Sequence, residues 1–210
     1  MSKIKICGLK REEDILYAND LMPDYIGFVF AGEKRKISFD QARLLKRKLN
    51  KRIGAIGVFV NEDIDNIISL ANDNIIDIIQ LHGDEDNDYI DKLRSKTDKK
   101  IMKAVRVKDK QDIINSKNIN SDYLLFDSFT DKMYGGSGVS FDHNLLPDNK
   151  RDFFLAGGIK EEDIKDIVEN LNPYCIDVSS SVETDGFKDY EKMKKIVKKV
   201  KMYSEGEIYE

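Results

Sequence analysis

The chain has 210 residues, enough for one barrel-sized domain and short for most two-domain enzymes. Hydrophobic residues make up 40% and charged residues 35%, with 35 basic and 39 acidic side chains interleaved, so neither a disordered chain nor a basic nucleic-acid-binding surface is expected. Two cysteines give no disulfide framework or zinc spacing, the N-terminus lacks a signal-peptide core, and no apolar run approaches the ~20 residues of a membrane span, so a cytoplasmic protein with no membrane partner is expected.

Apolar runs recur about every 20 to 25 residues. The first, Ile4–Cys7, predicts a buried strand that turns at Gly8. A cysteine in an apolar strand is ordinarily an inert core group, but at a strand end its thiolate can serve as base or nucleophile. The second run, Tyr25–Phe30, leads into a loop holding Arg35, either a solvated side chain or a bidentate clamp for a carboxylate. Ser38 reads as the cap of the helix that follows. After the third run, Ile53–Val60, a helical stripe of Ile64, Ile67, Ile68 and Ala71 is expected to face the core. The fourth run is Ile75–Leu81, although Ile75 and Ile76 could end the preceding helix. It stops at His82, a structural histidine or a site residue, and Asp84 and Asp86 are expected to charge the first turn of the next helix.

The fifth run, Ile101–Val107, precedes a less periodic helix. The sixth, Tyr123–Phe126, runs into Asp127-Ser128. An acid directly after apolar residues is either a cap or, where burial raises its pKa, a proton donor near neutrality. Gly135–Gly138 follow, the segment Ser140–Pro147 holds at most a short helix, and His143 receives no role. The seventh run, Phe153–Ile159, contains Gly157-Gly158 and precedes a stripe of Ile164, Ile167, Val168 and Leu171. The eighth, Tyr174–Val178, begins beside Cys175, expected to be structural, contains Asp177, and ends in Ser179-Ser180-Ser181. Tyr190, Met193, Val197 and Val200 form the last stripe. A single domain is expected over residues 1–203, with 204–210 as a frayed tail.

Near-continuous apolar strands alternating with helices predict an α/β protein with a parallel sheet, and eight units in this length predict a single-domain (β/α)8 TIM barrel. A doubly wound sheet is the alternative, but no G-x-G-x-x-G follows the first strand. In a barrel the site lies at the C-terminal strand ends. Three elements stand at adjacent corners there, Gly135-Gly136-Ser137-Gly138, Gly157-Gly158 and Ser179-Ser180-Ser181, and the pattern predicts a phosphorylated small-molecule ligand, held by backbone N–H groups of the loops after the seventh and eighth strands. His82 and Asp177 are candidate substrate contacts. No metal-binding or cofactor motif is present in the sequence.

The motifs stand in one order: Lys5-Ile-Cys-Gly8; Gly27-Phe-Val-Phe30 with Arg35 and Ser38; Gly57-Val-Phe59; Gln80-Leu-His-Gly83; Asp127-Ser128; Gly135-Gly-Ser-Gly138 with Phe141-Asp142; Leu155-Ala-Gly-Gly158; and Asp177-Val-Ser-Ser180 with Val182-Glu183 and Gly186-Phe-Lys-Asp189. In this order and spacing the chain resembles the phosphoribosylanthranilate isomerase family of tryptophan biosynthesis over nearly its whole length. The resemblance implies an Amadori rearrangement of N-(5-phosphoribosyl)anthranilate with no cofactor, in a monomer or homodimer. By that likeness Asp127 is the general acid, Cys7 the general base, and Arg35 the holder of the anthranilate carboxylate. The Gly136–Gly138 loop, Gly157-Gly158 and Ser180-Ser181 would hold the phosphate.

Two positions depart from the family pattern. Ser181 stands where the family has glycine. It is expected to be strained at positive φ, the alternative being a backbone adjusted to negative φ. Glu33-Lys34 stand where the family has Ser-Pro, so the loop before Arg35 is expected to be less rigid. Indole-glycerol-phosphate synthases and pentose-phosphate epimerases are the nearest rivals. The first needs a longer N-terminus and a lysine–glutamate set, the second several metal-binding histidines, and this chain has two histidines in all. A catalytically silent barrel that regulates a partner is a further alternative, and the presence of both Cys7 and Asp127 argues against it.

Overall fold

The computed structural model describes residues 1–127 and 152–205. Eight parallel strands close into a barrel in sequence order: β1 (Lys3–Cys7), β2 (Tyr25–Val29), β3 (Gly54–Phe59), β4 (Ile78–Leu81), β5 (Lys100–Arg106), β6 (Tyr123–Asp127), β7 (Phe153–Leu155) and β8 (Cys175–Val178). The ring closes where β8 pairs with β1, placing Lys5 opposite Asp177. Outside the ring lie α1 (Glu12–Leu21), α2 (Phe39–Lys48), α3 (Ile64–Asn72), α4 (Asn87–Arg94), α5 (Lys110–Asn115), α6 (Ile164–Asp166) and α7 (Tyr190–Glu205).

Local chemistry sets the helix starts. Ser38 caps α2 by accepting from Gln41 N at 3.1 Å, as the sequence predicts. Asp63, Asp86 and Asp109 cap α3, α4 and α5 in the same way. Asp86 is therefore a cap, while Asp84 lies before the helix and accepts from Asn61 Nδ2, so Asp84 does not charge the first turn. The expected apolar stripes pack against the barrel: Ile67 and Ala71 of α3, and Met193, Val197 and Val200 of α7, are buried. Ile164, Ile167, Val168 and Leu171 are also buried, but their backbone passes from a 3-10 turn through α6 into a π turn that ends at Asn172, φ 43°. The last helix runs through Glu205, where Ser204 Oγ donates to the Ser2 carbonyl at 3.0 Å.

Some strands are shorter than their apolar runs. Ile75 and Ile76 belong to neither α3 nor β4. The chain turns there so that Asp77 can accept from Ala55 N and Lys46 Nζ. In the seventh run β7 stops at Leu155, because Gly157 (φ 99°) and Gly158 (φ 67°) leave the extended region.

One core lies between barrel and helices, and a second fills the lower half of the ring around Ile56, Met102, Leu125 and Phe154. Tyr25, Tyr123 and Tyr174 pack beneath it. Tyr123 stacks on Tyr174 at 5.4 Å, and Lys3 Nζ donates to Tyr174 Oη at 2.7 Å. The lower end of the ring is thus filled, and open space remains at the C-terminal strand ends. Among the described residues no helix is long and apolar enough to cross a membrane.

Candidate active site

The C-terminal strand ends surround a cavity of about 510 Å³. Cys7, Arg35, His82, Asp127 and Asp177 all line it, as do the loops of Gly157-Gly158 and Ser179–Ser181. Cys7 is half-buried at the end of β1, opposite Gly27 of β2. A Cβ on Gly27 would lie 2.6 Å from Cys7 Sγ, so glycine there makes room for the thiol. Burial pushes the Cys7 thiol above its ordinary value, and the neighbouring Lys5 ammonium opposes the shift. Cys175 is fully buried in the lower core, away from the cavity, as expected.

Lys5 is a fully buried lysine inside the ring. Its ammonium donates to Asp177 Oδ2 at 2.6 Å and Gln80 Oε1 at 2.7 Å. Burial works against its charge, but Asp177 outweighs it and holds Lys5 protonated. Asp177 Oδ1 is buried with no hydrogen-bond partner among the described residues.

Asp127 ends β6 on the other side of the cavity. Its side chain keeps 29% exposure, so it faces the opening and is not sealed in the apolar surroundings that the sequence suggested. His82 Nε2 lies 3.0 Å from its Oδ2.

Arg35 lies against Gly8, where a Cβ would sit 2.4 Å from Arg35 Cδ; glycine, here at φ 87°, lets the arginine stem lie on the backbone. Its Nε and Nη2 donate to the two oxygens of Glu183 at 2.7 and 2.8 Å. Lys188 Nζ donates to Glu183 Oε1 at 2.6 Å and to the Ser179 carbonyl at 3.0 Å. Burial would raise the Glu183 carboxyl, but these two cations override it and hold it at about 2. Burial pushes Lys188 down. Glu183 and Lys188 sit on a two-stranded hairpin, β9 (Glu183–Thr184) and β10 (Phe187–Lys188), turned by Asp185 and Gly186 at φ 53° and 76°. Their pairing is not among the features that the sequence pattern predicts. The Asp-Gly dipeptide was the available signal.

At the β7–β8 side of the cavity, the N–H groups of Gly157, Gly158, Ser180 and Ser181 donate to no acceptor among the described residues. Ser181 lies in a 3-10 turn (Ser180–Val182) and is not among the residues with positive φ. The expected strain is therefore absent: the backbone has the negative-φ form that a serine adopts freely. Ser128, Gly136, Ser137, Gly138, Phe141, Asp142 and His143 lie outside the described residues, as do 206–210 of the expected tail. Among the described residues no group of three or more His, Cys, Asp or Glu could hold a metal ion.

Comparison with known proteins agrees with this geometry. The family model for N-(5'phosphoribosyl)anthranilate (PRA) isomerase matches residues 4–199. An N-(5'-phosphoribosyl)anthranilate isomerase of Endomicrobium trichonymphae is 52% identical over 198 residues, covering 94% of this chain and 98% of the relative. A phosphoribosyl anthranilate isomerase structure from Thermotoga maritima superposes with a TM-score of 0.82 at 34% identity, covering 96% of this chain and 99% of that one. Another isomerase structure, at 30% identity and a TM-score of 0.81, covers the same shares and is in complex with reduced 1-(o-carboxyphenylamino)-1-deoxyribulose 5-phosphate.

Proposed function

The chain belongs to the N-(5'-phosphoribosyl)anthranilate isomerase family, and from that premise we propose that Asp127 is its general acid and Cys7 its general base. The enzyme converts N-(5-phosphoribosyl)anthranilate to 1-(2-carboxyphenylamino)-1-deoxyribulose 5-phosphate, an isomerisation in tryptophan biosynthesis. The observation that carries the assignment is that a thiol on β1 and a carboxyl on β6 face one cavity of about 510 Å³.

Asp127 gives its proton to the ribose ring oxygen. The C1′–O bond breaks, and the anilino nitrogen supplies the electron pair for the iminium. The Cys7 thiolate takes the C2′ proton, and that electron pair forms the C1′=C2′ enolamine. Protonation at C1′ and loss of the 2′-hydroxyl proton complete the ketone and restore both groups.

Arg35 holds the anthranilate carboxylate. Glu183 occupies its Nε–Nη2 edge, which leaves Nη1 for the substrate and aims the guanidinium. The four undirected amides of Gly157, Gly158, Ser180 and Ser181 bind the phosphate. Asp177 Oδ1, without a partner among the described residues, accepts from a ribose hydroxyl, while His82, engaged by Gln80 and Asp127, acts on the substrate through Asp127. Two free cysteines fit a reducing cytoplasm.

The test is the loss of anthranilate-type fluorescence when purified protein meets freshly generated substrate. Asp127→Asn should lower kcat by ~10²- to 10⁴-fold while still binding a product analogue. Near wild-type kcat in that variant would remove Asp127 from the mechanism.

A further inference from the structure

One wall of the cavity carries an unbroken hydrogen-bond path. Asp177 Oδ2 accepts from Lys5 Nζ at 2.6 Å, and Lys5 Nζ donates to Gln80 Oε1 at 2.7 Å. Gln80 Nε2 lies 2.9 Å from His82 Nδ1, and His82 Nε2 lies 3.0 Å from Asp127 Oδ2. Gln80 is 2% exposed, so no solvent intervenes at the middle of the path.

The chemistry of each group fixes who donates. A protonated lysine has donors only, so the Gln80 atom that faces it must be the carbonyl oxygen. The amide nitrogen then points at His82 Nδ1, which must accept. A neutral imidazole with an accepting Nδ1 carries its proton on Nε2 and donates it to Asp127. A buried ammonium at one end thereby dictates a histidine tautomer at the other.

The tautomer matters for an acid. With Nε2–H directed at Oδ2, the transferable proton of a neutral Asp127 must sit on Oδ1. In the opposite tautomer Nε2 would be an acceptor, and Asp127 would give its proton to the histidine in place of the ribose oxygen. We propose that Gln80 is a positioning residue for the isomerisation: oriented by Lys5, it imposes the Nε2–H tautomer on His82 and keeps the acid proton of Asp127 available to substrate. This rests on the reading of Asp127 as the acid.

Long-range proton–nitrogen NMR on protein with isotope-labelled histidine tests it directly. The chain has two histidines, His82 and His143, so a His143→Gln variant leaves one ring to read. The expected spectrum shows an unprotonated Nδ1 and a protonated Nε2. Gln80→Leu should yield a tautomer mixture, and kcat should fall by about 10²-fold with a smaller change in KM. Gln80→Glu keeps an acceptor for Lys5, which protects folding, but offers a carboxylate to Nδ1. Nδ1 should become protonated, and a ring that donates from both nitrogens as a cation holds Asp127 as its carboxylate, with a similar loss of kcat. A protonated Nδ1 in the wild type, or wild-type kcat in Gln80→Glu, would overturn the proposal. Wild-type turnover by Asp127→Asn would instead sink the acid assignment, while the ring spectrum reports the tautomer regardless.

Discussion

Cys7 and Ser181 show how much a single position owes to its surroundings. At Cys7 burial raises the thiol and Lys5 resists, with a net upward shift. In the proposed mechanism the Cys7 thiolate works only beside a protonated Asp127, so rising pH fills one group as it empties the other, and turnover does not report the thiol alone. Alkylation of Cys7 by iodoacetamide follows the thiolate alone, and its rate should still be climbing at the ordinary thiol value of 9.0. Cys7→Ser should abolish this labelling and product should protect against it, and an alkylation rate that levels off below pH 9.0 would contradict the raised thiol. At Ser181 the sequence identifies the departure from glycine but not its consequence, because φ is a property of the folded turn. Since φ is not positive there, Ser181→Gly relieves no strain and only frees the backbone, at a cost of ~0.5 to 1 kcal/mol. Calorimetric titration with product should show binding no tighter than wild type. Tighter binding would mean that the serine does obstruct the phosphate loop.

At the scale of elements, acids placed just before β2, β4 and β6 grip the strand before them. Asp24 accepts from Ile4 N, Asp77 from Ala55 N and Asp122 from Ile101 N, at 3.0, 2.7 and 2.9 Å. Asp122 also pairs with Lys100 at 2.8 Å and Arg94 at 3.2 Å. Burial would raise its carboxyl, but the Ile101 amide and these cations prevail and lower it. A carboxyl lowered in the fold contributes stability above its unfolded pKa, and that contribution is lost as pH falls through the folded value. Asp122→Asn should cost about 1 kcal/mol at pH ~7, and the difference should shrink below pH ~4. Urea unfolding at both pH values measures it, and a constant difference would show that the charge is irrelevant. The strands themselves were legible as apolar runs, and Ser38 as a cap. The β9–β10 hairpin was not, because its strands have two residues each and carry no periodicity.

Across the whole molecule, sequential strand order puts β1 and β6 three steps apart round the ring, with the lower half filled and the upper half open. Eight buried runs at even spacing made this barrel readable, and position at a strand end made Cys7, His82 and Asp127 readable as site candidates. Lys5, Gln80 and Asp177 were harder. Each is a polar residue inside an apolar run, and their pairing exists only once β8 closes on β1 and β4 faces them across the ring. The proposed catalysis requires Cys7 and Asp127 to act on one substrate in that shared space. Turnover of Cys7→Ser, Asp127→Asn and the double variant tests this directly. Each single change should lower kcat by ~10²- to 10⁴-fold, and the double variant should fall little below the worse single, as for groups that act as a unit. Near wild-type kcat in either single variant would contradict it.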